Sequence, residues 1–155
     1  MTEYEMAERE QFTACDLRRH MAETEAEKLR GAMEQKERAD RAFRDFVDHF
    51  MHDHLSRKDV AETRSRVLTA AGHGEFETLI MRFPSSLCSD DGRAINNGHH
   101  DWVDTLPGKA HEAYELWRRL GRPKGFTFRA KIVDFPDGMP GDVGLFIGWE
   151  PPVDP

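Results

Sequence analysis

Ionisable side chains with metal-ligand chemistry cluster near the end of the first third of this sequence. Asp45, Asp48, His49 and His52 stand three and four residues apart. On a helix this spacing places side chains on a shared face, so two carboxylates and two imidazoles can converge. Both groups are ligands that zinc and non-haem iron accept. The pattern predicts a Zn or Fe site at these four residues, and the competing interpretation is a solvated helix face.

A second group of polar residues occupies the long connection over residues 84–101. A connection of this length is unusual in a compact domain and is often functional. It leads into a predicted helix at Trp102, whose first N–H groups and dipole would favour an anion. We therefore predict a small anionic ligand bound by Arg93, Asn96, Asn97, His99 and His100. The alternative is a structural loop, because Asp91-Gly92 and Asn97-Gly98 are turn signals and Asp101 is a typical N-cap.

Two enzyme hypotheses involve the same connection. Cys88 with His99 or His100 would make a thiol–imidazole pair that Asp101 could orient. Alternatively, the two histidine groups converge into one metal-assisted site, which requires His52 and His99 to lie close together. No cysteine-hydrolase signature surrounds Cys88, and the sequence has no phosphate-cradling glycine loop. No cofactor is predicted beyond the Zn or Fe named above.

Bulk composition narrows the class of protein. A chain of 155 residues fits one domain, with 38% apolar and 33% charged residues. A net charge of −7 argues against binding to nucleic acid or to anionic membranes, since both need clustered lysine and arginine. Two cysteines do not make a disulfide scaffold. The acidic first residues do not resemble a signal peptide, and no apolar run is long enough to span a membrane. We expect a cytoplasmic protein.

Residues 1–55 are predicted to form a long charged helical arm. Thr2 and Glu5 fit a capping box, and from there to about His54 the sequence contains no proline and one glycine, Gly31. We expect the arm to project, to break near Gly31, or to pack against another copy. A heptad seam supports self-association or a protein partner, although it thins to alanines upstream. Its positions are Ala22, Leu29, Lys36, Phe43 and Phe50, with Ala32, Ala39 and Phe46.

Residues 56–150 are predicted to form the body, followed by a tail over 151–155. Ser56 with Asp59 begins a second helix to Ala71, which buries its apolar residues: Val60, Val67, Leu68 and Ala71. A strand over 75–83 follows. The helix Trp102–Leu120 has Pro107 in its first turn and Gly121 as its C′ residue. Two alternating segments, starting at Phe126 and at Val143, flank a turn and predict an antiparallel pair.

The predicted element order gives the fold class. Helix, helix, strand, helix, strand and strand make an α+β protein, with a small three-stranded sheet packed on helices. The outer face of the last two strands presents Thr127, Arg129, Lys131 and Phe146, and we expect Phe46 and Phe50 or a second subunit to cover Phe146. The sequence favours a non-enzymatic oligomerisation, adaptor or regulatory ligand-binding module. The alternative is a small metal-assisted enzyme with its site in residues 84–101.

Overall fold

The structure is a computed structural model that describes Thr2, Glu3, Glu5 and residues 13–153. Contacts divide the chain into two units, Met1–Asp45 and Phe46–Pro155. From here on, the body means this second unit instead of the residues 56–150 expected from the sequence. The fold is α+β, as predicted, with a three-stranded antiparallel sheet packed on helices.

The first helix that lies wholly within the described residues, α1, spans Ala14–His52. A capping box begins it, because Thr13 and Asp16 exchange hydrogen bonds of 3.1 Å between side chain and backbone. The predicted box at Thr2 and Glu5 is also formed, and the helix expected to connect it to α1 lies outside the described residues. Gly31 does not break α1, since one glycine costs a helix only about 1 kcal/mol.

The described part of the body contains three further α-helices and three strands. Their bounds are α2 at Arg57–Gly72, β1 at Glu77–Pro84, the single turn α3 at Arg93–Asn96, α4 at Gly108–Leu116, β2 at Thr127–Ile132 and β3 at Asp142–Gly148. The predicted capping box of Ser56 and Asp59 starts α2. The predicted antiparallel pairing of β2 with β3 is confirmed, with Phe128 opposite Ile147.

Strand β3 lies at the centre of the sheet, in the order β1-β3-β2. Both neighbours run antiparallel to β3, so β1 and β2 are parallel to each other. A β-bulge interrupts β1 between Leu79 and Met81. The residue in the bulge, Ile80, accepts a hydrogen bond of 3.3 Å at its carbonyl oxygen from the Arg66 guanidinium of α2.

One face of the sheet carries the core. Phe83, Val143 and Leu145 are the largest fully buried side chains. Phe50, near the end of α1, packs its ring 5.0 Å from that of Phe83. A second aromatic group, made of Trp102, Tyr114, Trp117 and Phe128, packs beside them with ring centroids 5.5–6.1 Å apart.

The predicted continuous helix Trp102–Leu120 is wrong. A 3₁₀ turn covers Trp102–Thr105, the chain extends at Leu106 and Pro107, and α4 starts at Gly108. Proline disfavours helical geometry in the residue before it, which explains the break at Leu106. The C-terminal end of this helical region also differs from the prediction. A π-helical turn, Trp117–Gly121, continues α4, and the left-handed glycine is Gly125 with φ of +89°, not Gly121.

Candidate ligand-binding groove

The four predicted metal ligands all lie on exposed parts of α1. His49 pairs with Asp53 at 2.7 Å and His52 pairs with Asp48 at 3.2 Å, each across one helical turn. Within the part of the chain that the structure describes, no three His, Cys, Asp or Glu side chains are grouped closely enough to hold a metal ion. The Zn or Fe assignment therefore stays a prediction for elemental analysis.

The predicted anion-binding residues lie on the surface of the loop over 84–101. Arg93, Asn96, Asn97, His99 and His100 are all exposed. Beneath them, Cys88, Ala94 and Ile95 are buried. Asp90 holds the turn, because its carboxylate accepts hydrogen bonds from the backbone N–H groups of Gly92 and Ala94 at 3.0 and 2.8 Å. The loop is thus a packed structural element, and its ligand-binding role stays a prediction.

The expected help from a helix N-terminus is not available in this loop. The loop enters the short 3₁₀ turn at Trp102, and Asp101 makes no side-chain capping hydrogen bond there. The α-helix begins six residues later at Gly108. A side-chain carbon at Gly108 would collide with the backbone of Phe50 and Met51. The end of α1 therefore fills the space that an anion would need at the first turn of α4.

The environment of Cys88 disfavours its hypothetical role as a nucleophile. The residue is 3% exposed. Burial, together with the negative charge of Asp90, raises the pKa of the thiol to about 11. Because the thiolate is the reactive form, this thiol is almost entirely unreactive near neutral pH.

The outer face of the sheet is arranged differently from the prediction. Phe50 stacks between Phe46 and Phe83, with ring centroids at 5.5 and 5.0 Å, on the core face. The expected contact of these phenylalanines with Phe146 is therefore wrong. Instead the ammonium of Lys131 lies 4.3 Å from the centre of the Phe146 ring.

Between α2, α4 and β1 the body forms an open groove of about 530 Å³. This volume is typical of small-molecule sites, which are mostly apolar with a few polar groups. The apolar lining residues are Phe46, Phe50, Leu55, Val60, Val67, Ile80, Met81, Ala113, Leu116, Trp117, Leu120, Phe126 and Ile147. Val60 and Leu120, at the mouth, are 46% and 57% exposed. The groove is the strongest candidate for a binding site in the described residues.

The π-helical turn positions one wall of this groove. The Trp117 indole N–H donates a hydrogen bond of 2.9 Å to the carbonyl of Phe126, which ties the end of α4 to the start of β2. Gly121 permits this arrangement, because a Cβ at that position would lie 2.7 Å from the Trp117 ring. The wider turn leaves Leu120 at the solvent edge of the groove. Leu120 is 57% exposed there.

Charged residues surround the apolar lining. Five are cationic, Arg64, Arg66, Arg82, Lys109 and Lys124, and two are acidic, Asp59 and Glu62. Asp59 lies 3.7 Å from Lys109 and also caps α2. Hydrogen bonding to the Ser56 backbone, assisted by Lys109, lowers the pKa of Asp59. Arg64 and Lys124 have no ion-pair partner among the described residues, so the rim is net cationic although the chain is acidic.

Sequence reasoning missed the groove because it misjudged α2. We expected Val60, Val67, Leu68 and Ala71 to be buried, whereas Ala70 is buried and Val67 half-buried. Val60, Leu68 and Ala71 are exposed. Because an apolar helix face can include adjacent residues such as Val67 and Leu68, the sequence pattern of α2 gave no signal that Leu68 is exposed.

Comparisons with known proteins give no functional assignment: no protein family, curated protein or solved structure matches the chain. Of the helices in the described part of the chain, none combines the length and the apolar character of a membrane span.

Proposed function

We propose that this protein is a non-enzymatic regulatory module that binds an amphipathic ligand in the groove between α2, α4 and β1. The observation that carries the proposal is an apolar groove with a net cationic rim in a chain of net charge −7. An apolar ligand body would cover the exposed parts of Val60 and Leu120. An anionic end would pair with Arg64 or Lys124.

The proposal also assigns self-association to α1 and a cytoplasmic location to the protein. Every residue of α1 from Ala14 to Asp45 is exposed except the half-buried Thr24. Helices in proteins gain most of their stability from packing an amphipathic face, and this stretch buries no side chain among the residues that the structure describes. Large apolar side chains nevertheless remain on it, among them Leu29, Met33 and Phe43 at 51–63% exposure.

Calorimetric titration with dodecanoate, kept below its micelle concentration, tests the groove. Dodecanoate should bind, and dodecyltrimethylammonium, which has the same tail and the opposite charge, should bind more weakly. Val60→Asp should weaken dodecanoate binding about tenfold or more, because it places a carboxylate in the apolar mouth.

The matched control is Leu68→Asp. Leu68 lies on the same helix and is 63% exposed, but it does not line the groove. This variant should bind dodecanoate as the unmodified protein does. Equal effects of the two substitutions, or no effect of Val60→Asp, would contradict a site in the groove. Arg64→Glu should weaken binding of the anionic probe, with Arg57→Glu as the control outside the groove.

A further inference from the structure

A narrow stripe along α1 carries three of its exposed large apolar side chains, and Leu17, Met21 and Phe46 are also exposed but lie off the stripe. The stripe consists of five residues that follow one another at steps of four, three, four and three: Leu29, Met33, Lys36, Asp40 and Phe43. At 100° per residue these five positions lie within about 40° of one line on the helix surface. The helical ion pairs Glu34–Arg38 and Glu37–Arg41 lie outside the stripe. The pattern is a seam for one helix partner, interrupted by one lysine and one aspartate. It keeps Leu29, Lys36 and Phe43 of the heptad seam predicted from the sequence, but Met33 and Asp40 take the place of Ala32 and Ala39.

The two charges in the seam discriminate between partner orientations. In a parallel pair of identical helices each seam residue meets its own counterpart, so Lys36 would face Lys36 and Asp40 would face Asp40. Both layers would be repulsive. In an antiparallel pair centred between these residues, Lys36 of one copy faces Asp40 of the other, twice. Neither side chain has an ion-pair partner among the described residues, so both are free for this contact.

The same antiparallel register matches the remaining seam residues. It places Met33 opposite Phe43 of the second copy, again twice. It also places Leu29 opposite Val47, which is half-buried. Beyond Val47 the next seam residue is Phe50, which is buried in the core of its own body. The seam therefore ends at Val47. In this dimer the apolar contacts lie on both sides of the two central contacts between Lys36 and Asp40.

We infer that the partner of α1 is a second copy of this chain, bound antiparallel over residues 29–47 with Lys36 facing Asp40 of that copy. This inference rests on the self-association in the proposed function and specifies its geometry. Because the contact is short, the dimer should dissociate on dilution.

Disulfide mapping tests the orientation. The background variant is Cys15→Ser, since Cys15 is exposed and Cys88 is buried. Met33→Cys and Phe43→Cys are made separately in this background, mixed and oxidised. The antiparallel register predicts a mixed disulfide between the two variants, identified by peptide mass. Each variant alone should cross-link poorly, because Met33 and Phe43 are ten residues apart and the matching thiols would be about 15 Å apart along the axis.

A charge reversal gives an independent test by sedimentation equilibrium. Lys36→Glu should raise the dimer dissociation constant about tenfold, because the new carboxylate would face Asp40 of the second copy. In a parallel dimer the same change would replace one like-charge layer with another and leave the constant nearly unchanged. Arg38→Glu, on the opposite side of α1, is the control and should leave dimerisation intact.

The outcomes distinguish the antiparallel register from self-association in general. A mixed disulfide together with weakening by Lys36→Glu supports the antiparallel register. Efficient disulfides within each single variant overturn that register while self-association stands. A protein that stays monomeric at every concentration overturns self-association itself, whatever the titration with dodecanoate gives.

Discussion

At the scale of single residues, Cys88 couples the stability of the body to alkaline pH. Burial raises the pKa of its thiol to about 11 in the folded chain, whereas an unfolded cysteine ionises near pH ~8.5. The folded state therefore holds this proton more tightly. Its contribution to the free energy of unfolding is complete at lower pH and is lost as pH rises through this window.

Urea unfolding at a series of pH values should reveal this loss. In Cys88→Ala the decline in the free energy of unfolding between about pH 8.5 and pH 11 should be shallower, because that group no longer titrates. The slopes are compared, not the absolute values, since removing the thiol also leaves a small void. Identical slopes in the two proteins would contradict the assignment.

At the scale of elements, the π-helical turn Trp117–Gly121 holds the groove wall in place. Gly121→Ala would put a methyl group 2.7 Å from the Trp117 ring. Displacement of the ring would strain its hydrogen bond to Phe126, so we expect a loss of about 1–3 kcal/mol in the free energy of unfolding. Chemical denaturation measures it, and red-shifted tryptophan fluorescence would report a more exposed indole.

Gly72→Ala is the control for that substitution. A methyl group at Gly72 meets nothing within 4 Å. Its effect should stay within about 0.5 kcal/mol, as for most surface changes. If Gly121→Ala is equally neutral, the turn can relax and the close approach to Trp117 is not required.

The sequence predicted most of the helices and strands, but it did not predict where several of them begin and end. The capping box of Ser56 and Asp59, and the alternation in β2 and β3, depend on local chemistry and were predicted correctly. The break at Leu106 has a local cause, because a proline follows, but the apolar periodicity continues across it and conceals it. The bulge in β1 and the π-helical turn depend on contacts between distant parts of the chain, and no local sequence pattern indicates them.

At the scale of the whole molecule, the two units should separate experimentally. A chain of residues 46–155 keeps Phe50 and the sheet core, and we expect it to unfold cooperatively near the free energy of the full chain. It should also be monomeric, because the seam on α1 is removed. Urea unfolding and sedimentation measure the two properties. A truncated chain without a cooperative transition would contradict independent folding of the body.

The candidate site is the part that the sequence predicted least well. A groove is formed by residues distant in the chain, such as Val60, Ile80 and Leu120, and only their tertiary arrangement brings them together. The sites predicted from the sequence lie in other regions, because histidine can be recognised as a ligand or catalytic residue from its type alone. The groove depends on apolar side chains that are only partly buried, and an apolar residue has the same appearance in a sequence whether it lies in a core or at a binding surface.

The β-bulge at Ile80 disfavours aggregation through the edge of the sheet. β1 is an edge strand, and a regular edge is a template to which another chain can add a strand and start aggregation. The bulge disrupts the regular backbone there, and the Arg66 guanidinium already occupies the carbonyl of Ile80. The same arginine places a positive charge at the edge. The bulge and Arg66 of α2 thus make β1 a poor template for strand addition at this point.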